Sequence, residues 1–145
     1  GSLRAEHPGV ISIVSYRYNR SNLIVQMKKR NDDEPRQVLE RVLSATPIAK
    51  TAVVVDDDID PSDPYSVGFA ISTRFQPKRG ALVLDGLAST SLDPSAVCRK
   101  TGTVTSKLGI DATRPLSAPK GRFEMVRISK KVREKTKAFE RYLKR

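Results

Sequence analysis

The run TAVVVD, residues 51–56, constrains the fold more than any other stretch of the chain. Ala52, Val53, Val54 and Val55 are apolar without a break, so the segment offers no polar face to water. It is too short to be a helix, and it follows a helical pattern. A continuous, largely β-branched run in that position is the mark of a central strand covered on both faces. The surrounding chain must therefore supply helices for two sides of a sheet.

The flanking sequence does so. GVISIVSYRY (9–18) and NLIVQMKK (22–29) are β-rich runs separated by Asn19, Arg20 and Ser21, which predicts an amino-terminal hairpin. In DDEPRQVLERVLSAT (32–46), Asp33 can cap, Pro35 suits a first turn, and Val38, Leu39, Val42 and Leu43 share one helical face. Asp63 and Pro64 open a second helix whose stripe is Val67, Ala70, Ile71 and Phe75, and QPKRG (76–80) stops it. ALVLDG (81–86) reads as another short buried strand and FEMVRI (123–128) as the last. Strand, helix and strand in succession predict an α/β fold, a sheet with right-handed βαβ crossovers flanked by helices.

Residues 87–120 are rich in Ser and Thr and read as a long ordered loop across the carboxyl edge of the sheet, where open α/β folds bind ligands. Beyond Ser129, Val132, Thr136, Phe139 and Leu143 recur at heptad-like spacing, predicting a carboxy-terminal helix. Gly1-Ser2 reads as a cloning scar. The organisation expected is scar and linker over 1–9, one α/β domain over 10–128, and a basic amphipathic helix over 129–145.

Charge and rare residues narrow the function. The net charge is +11, but residues 120–145 hold eleven Lys or Arg against three Glu, so most of the excess sits in the tail. A basic tail raises nucleic acid as a partner, yet aromatic content is 6% and no recognition motif accompanies it. A single cysteine, Cys98, excludes an internal disulfide framework and fits a reducing cytoplasm. Arg99 and Lys100 beside it favour a thiolate, but the only histidine is His7, so no base is at hand for a nucleophile. No apolar run approaches the roughly eighteen residues of a membrane-spanning helix.

Asp56, Asp57, Asp58 and Asp60 follow the strand at once. As a calcium loop the spacing fails, because the sixth position is Pro61 and the twelfth Val67. A phosphotransferase of the haloacid dehalogenase type would use Asp56 and Asp58, but Asp60 stands where Thr or Val is usual. The remaining reading has the acids ending a strand, capping turns and facing helix amino termini. Four bunched carboxylates need cations nearby, and Lys50, Arg74, Lys107 and Arg114 are the candidates.

KTAVVVDDDIDPSDPYSVGFAISTRFQP (50–77) resembles the central signature of the carboxy-terminal domain of the UbiD family of carboxy-lyases. SLDPSA (91–96) and SKLGIDATRP (106–115) resemble two further motifs of that family, in the same order. The resemblance runs from about residue 10 to residue 128. It implies decarboxylation or carboxylation of aromatic or α,β-unsaturated acids with prenylated FMN, a divalent metal and often potassium. It also implies that the flavin, metal and proton-handling residues lie in an amino-terminal flavin-binding domain or subunit. This chain alone would then hold no cofactor, no catalytic residue and no metal ligand. It would complete the substrate cleft and form homo-oligomers through its carboxy-terminal helix, with no membrane partner.

Lys50 matches a lysine that often precedes the signature strand, and the resemblance assigns it to the cofactor phosphate; the competing expectation pairs it with Asp56–Asp60. Asp111 and Thr113 are expected to form a turn, and Arg74 to act as a carbonyl cap or ion-pair partner. Gly68 stands where the family carries a bulkier residue. A non-catalytic assembly or binding module is the alternative function.

Overall fold

Ten elements follow one another in the computed structural model, which describes residues 3–17 and 19–125. They are α1 (Leu3–Glu6), β1 (Val10–Tyr16), β2 (Asn19–Met27), α2 (Glu34–Ala45), β3 (Thr51–Asp56), α3 (Pro64–Arg74), α4 (Pro77–Gly80), β4 (Ala81–Ala88), β5 (Val97–Arg99) and β6 (Gly102–Ala112). The sheet has six strands in the order β1-β2-β3-β6-β4, with β5 paired to the start of β6. The α/β class is as expected.

The TAVVVD run is β3, hydrogen-bonded in parallel to β2 on one side and to β6 on the other. Alternate side chains divide between two cores. Ala52 and Val54 pack with Val38, Leu39 and Leu43 of α2, whereas Val53 and Val55 pack with Val67 and Ala70 of α3. Each large apolar side chain buried this way contributes about 1.5–3 kcal/mol. The β1–β2 hairpin is present, but its turn comes early, so Asn19, Arg20 and Ser21 are the first residues of β2.

Capping differs between the two helices. Asp63 caps α3, its carboxylate accepting from the Tyr65 and Ser66 N–H groups. Asp33 makes no such bond at α2; Asn31 Oδ1 accepts from the N–H groups of Asp33 and Glu34 instead, at 3.1 and 2.9 Å.

The largest departure from expectation lies in residues 87–120, which hold a central strand. β6 runs for eleven residues between β3 and β4. Its α2-facing residues are Thr105, Lys107, Gly109 and Asp111, all buried, so the α2 side lacks the usual apolar residues, whereas Ile110 and Ala112 join the α3-side core. Gly109 fits because a Cβ there would lie 3.2 Å from Leu39 Cβ and 3.3 Å from Leu82 Cβ. β4, expected to extend the βαβ series as a buried strand, is an antiparallel edge strand with Val83 exposed. α4 delivers the chain to the carboxyl edge, where Ala81 pairs with Ile110, so β4 has to run back down the sheet.

Within the stretch expected as scar and linker, α1 sets Leu3 against the α2-side core, and Glu6 pairs with Arg41 at 2.7 Å. The expected strand at 123–128 starts in a turn at Phe123, with Glu124 and Met125 in no regular element. Its remainder, the expected helix over 129–145, and the oligomer contact and basic tail assigned to that helix lie outside the described residues.

Candidate functional site

β3 has a functional candidate at each end. At its carboxyl end the acidic cluster closes around Arg74. Arg74 and Asp56 are 2% and 5% exposed, and the Arg74 Nη1 donates to Asp56 Oδ2 at 2.5 Å. The guanidinium fork also takes both oxygens of Asp58, at 2.8 and 2.9 Å, and Nη2 donates to the Phe123 carbonyl. Asp56 Oδ2 accepts a second bond from the Arg114 N–H at 2.9 Å. Burial pushes the Asp56 carboxyl up, although Arg114 and Arg74 both pull it back. The more exposed Asp58 is drawn below its ordinary value by its hydrogen bonds to Arg74.

This arrangement is structural. Asp56 and Asp58, the two acids that a haloacid-dehalogenase-type phosphotransferase would use, are committed to one buried guanidinium. Asp60 accepts from Ser62 N–H in a turn, and Asp63 caps α3. Asp111 makes the expected turn, accepting from the Thr113 N–H and hydroxyl at 2.9 and 2.6 Å. Among the described residues no three His, Cys, Asp or Glu side chains are grouped so as to hold a metal ion.

Of the four cations expected beside the acids, Arg74 and Arg114 are there and two are elsewhere. Lys107 is 2% exposed under α2, where its ammonium donates to the carbonyls of Leu43 and Thr46 at 3.0 and 2.8 Å. It caps the carboxyl end of the helix, where a cation is favoured. Burial lowers the Lys107 pKa.

Lys50 stands at the amino end of β3, the edge opposite the acids. Its ammonium donates to Asp93 Oδ2 and Ser95 Oγ at 2.8 Å each, and also to the Thr105 hydroxyl. Its ion-pair partner is thus Asp93 of the SLDPSA motif, and the expected pairing with Asp56–Asp60 does not occur. The bond from Lys50, followed by those that Asp93 accepts from Ser95, holds the Asp93 carboxyl far below the usual carboxylate range. The segment 89–96, expected over the carboxyl edge, lies at the amino edge because antiparallel β4 returns the chain there, and the Lys50–Asp93 bond ties it to β3.

Lys50 and Asp93 form part of the wall of a pocket of about 420 Å³ that also takes in Arg17, Arg20, Ile48, Thr90 and Leu92. Ile48 and Leu92 are 39% and 78% exposed, an apolar pair beside cations. No local signal in the sequence marks Arg20, Ile48 or Leu92. Three chain segments meet here only because β2, β3 and the β4–β5 connection share this edge. A second cavity, about 320 Å³, opens at the carboxyl edge beside Lys28, Asp57, Arg114 and Lys120.

With the geometry established, comparison with known proteins decides the family. Residues 2–112 match the model of the 3-octaprenyl-4-hydroxybenzoate carboxy-lyase C-terminal domain. The chain belongs to the UbiD family. It is 45% identical over 93 residues to anhydromevalonate phosphate decarboxylase of Archaeoglobus fulgidus, covering 64% of this chain and 21% of that protein. It is 33% identical over 120 residues to phenolic acid decarboxylase of Bacillus subtilis, covering 79% of this chain and 24% of that one. The structure of the UbiD-class enzyme HmfF from Pelotomaculum thermopropionicum in complex with FMN superposes with a TM-score of 0.75 at 29% identity, covering 87% of this chain and 28% of that one.

The chain therefore spans about a quarter of the length of the UbiD proteins it matches. Among the described residues no helix is long and apolar enough to cross a membrane. The donor set at the amino-edge pocket, Arg17, Arg20 and Lys50, suits an anion such as a flavin phosphate.

Proposed function

We propose that this chain is the carboxy-terminal domain of a decarboxylase for α,β-unsaturated or aromatic acids, and that its amino-edge pocket faces an amino-terminal flavin-binding domain or subunit. The observation that carries this reading is the match of residues 2–112 to the family's carboxy-terminal domain, which takes in every described strand. In the assembled enzyme prenylated FMN supplies the chemistry of carbon dioxide release. This chain's part is to bind and to position. Lys50 reaches the cofactor phosphate, and Ile48 and Leu92 close one wall of the substrate cleft. Support for the role of Lys50 comes from its place on the pocket wall with its side chain 34% exposed. The acids of the two relatives, a phosphorylated one and the phenolic ones, bound the substrate class.

Purification of the protein from its native source tests the reading. A larger flavin-bearing segment, covalently continuous or associated, is expected to come with it, and the assembly is expected to release carbon dioxide from a cinnamate-type or short unsaturated acid. Lys50→Met is expected to lower flavin retention in that assembly. A native protein with no flavin partner and no decarboxylation would leave the non-catalytic module as the better account.

A further inference from the structure

We infer that the cavity at the carboxyl edge is a binding site for a small organic monocarboxylate with an apolar tail. The inference stands apart from the decarboxylase reading, since this cavity lies at the opposite end of β3 from the amino-edge pocket. Its place follows from the connections. The chain leaves the carboxyl end of β2 for α2, on one face of the sheet. From the same end of the adjacent, parallel β3 it leaves for α3, on the other face. Neighbouring strands whose connections part in this way leave a crevice between their ends, and open α/β sheets take ligands there. Lys28 and Lys29 after β2, with Asp56 and Asp57 at the end of β3, line the cavity at that crevice.

The opposite wall comes from residues 114–124 and is tied down at two points. The Leu116 N–H donates to Asp32 Oδ1, and the Phe123 carbonyl accepts from Arg74, each at 3.1 Å. Two charged groups of the floor are already matched. Lys29 donates to Thr113 and pairs with Asp32, each at 2.8 Å, while Asp56 is held by Arg74. The ammonium groups of Lys28 and Lys120 form no ion pair or hydrogen bond among the described residues. The Arg114 guanidinium meets only Asp57 and Asp58, at 3.9 and 3.6 Å, beyond hydrogen-bond reach. Three cations thus have donors to spare, against the carboxylates of Asp57 and Glu124 on the same lining. That balance favours a monoanion, because a phosphate dianion would crowd the two acids. A guanidinium fork also matches the two oxygens of a carboxylate. Leu116, 55% exposed, and Phe123 offer apolar surface for a tail, and a volume of about 320 Å³ leaves room for one.

Amide chemical shifts of the chain, followed while hexanoate is added, test the site. Saturable shifts are expected at Lys28, Asp57, Arg114 and Leu116. Hexanol, which lacks the charge, should produce none of them, and inorganic phosphate should bind more weakly than hexanoate. Acetate should be weaker by about tenfold or more, since burying two methylenes accounts for that much. Arg114→Gln should weaken hexanoate binding about tenfold, the loss of one charge-assisted pair. The variant keeps the backbone N–H that bonds Asp56, so the strand end is retained. Lys28→Gln and Lys120→Gln, both at exposed positions, give the same readout if Arg114→Gln does not fold. Shifts that centre on Arg17, Arg20 and Lys50, an affinity unchanged in all the folded variants, or hexanol, acetate or phosphate that matches hexanoate overturns the inference.

Discussion

Replacing Arg74 by methionine isolates the energetic role of the acidic cluster. The substitution keeps most of the apolar stem but removes the guanidinium, so Asp56, 5% exposed, is stranded with only the Arg114 N–H. Breaking a buried ion pair by deleting one partner costs about 3–5 kcal/mol. The low end applies here, because Arg74 Nε has no partner among the described residues and Asp58 can turn to water. A loss of about 3 kcal/mol in a chain near this size lowers Tm by roughly 6–12 °C. Thermal unfolding followed by far-UV circular dichroism would measure it. Asp57→Asn, at an exposed acid 3.9 Å from Arg114, is the control and should stay within about 0.5 kcal/mol. Adding Asp56→Asn to Arg74→Met should restore part of the loss, since the stranded group is then neutral. If Arg74→Met shifts Tm by no more than the Asp57 control does, the cluster is not a structural ion pair and its acids need another explanation.

Three further outcomes follow from the same geometry. Lys107→Met removes a charged donor from the carbonyls of Leu43 and Thr46 and should cost about 1.5–3 kcal/mol in urea unfolding; a neutral result would mean that relief of the buried charge offsets the lost cap. Gly80→Ala places a Cβ 2.7 Å from the Asp111 carbonyl oxygen, a backbone atom that cannot yield cheaply, and a loss of about 1–3 kcal/mol is expected by the same assay; an unchanged midpoint would show that β4 can move away from β6. Asp93 has a folded pKa below its unfolded value near 3.8, so its bond to Lys50 adds stability above that value and loses it as pH falls toward the folded one. Lys50→Met should therefore unfold at higher pH than the wild type in an acid titration, and coincident midpoints would contradict the pairing.

What the sequence revealed and what it hid have a common physical origin. β3, α2 and α3 announce themselves because their buried residues are apolar and correctly spaced, and Asp63-Pro64 is a local capping signal that needs no tertiary knowledge. β6 stayed hidden because its α2-facing side carries Thr105, Lys107, Gly109 and Asp111, residues buried by specific partners rather than by their hydrophobicity. Lys107 is satisfied by carbonyls more than sixty residues away, and Gly109 is explained only by Leu39 and Leu82 approaching from two other elements. The same holds for the pocket. Lys50 could be singled out by its place before the signature strand, but Asp93 as its partner, and Arg20, Ile48 and Leu92 as its neighbours, depend on strand order. The Arg74 ion pair was anticipated in kind, because four acids in five residues demand a cation.

The position of β6 also governs how the chain can be made. Its residues come late in the matched region yet slot between two strands already synthesised, so until the segment near Ala112 has left the ribosome β3 has hydrogen-bonding groups open along one whole side. A nascent chain cut short at residue 100 would carry the complete TAVVVD strand paired to β2 on one side only, its other edge an invitation to pair with another molecule. Order of assembly, as much as the final contacts, thus depends on a strand whose side toward α2 is polar.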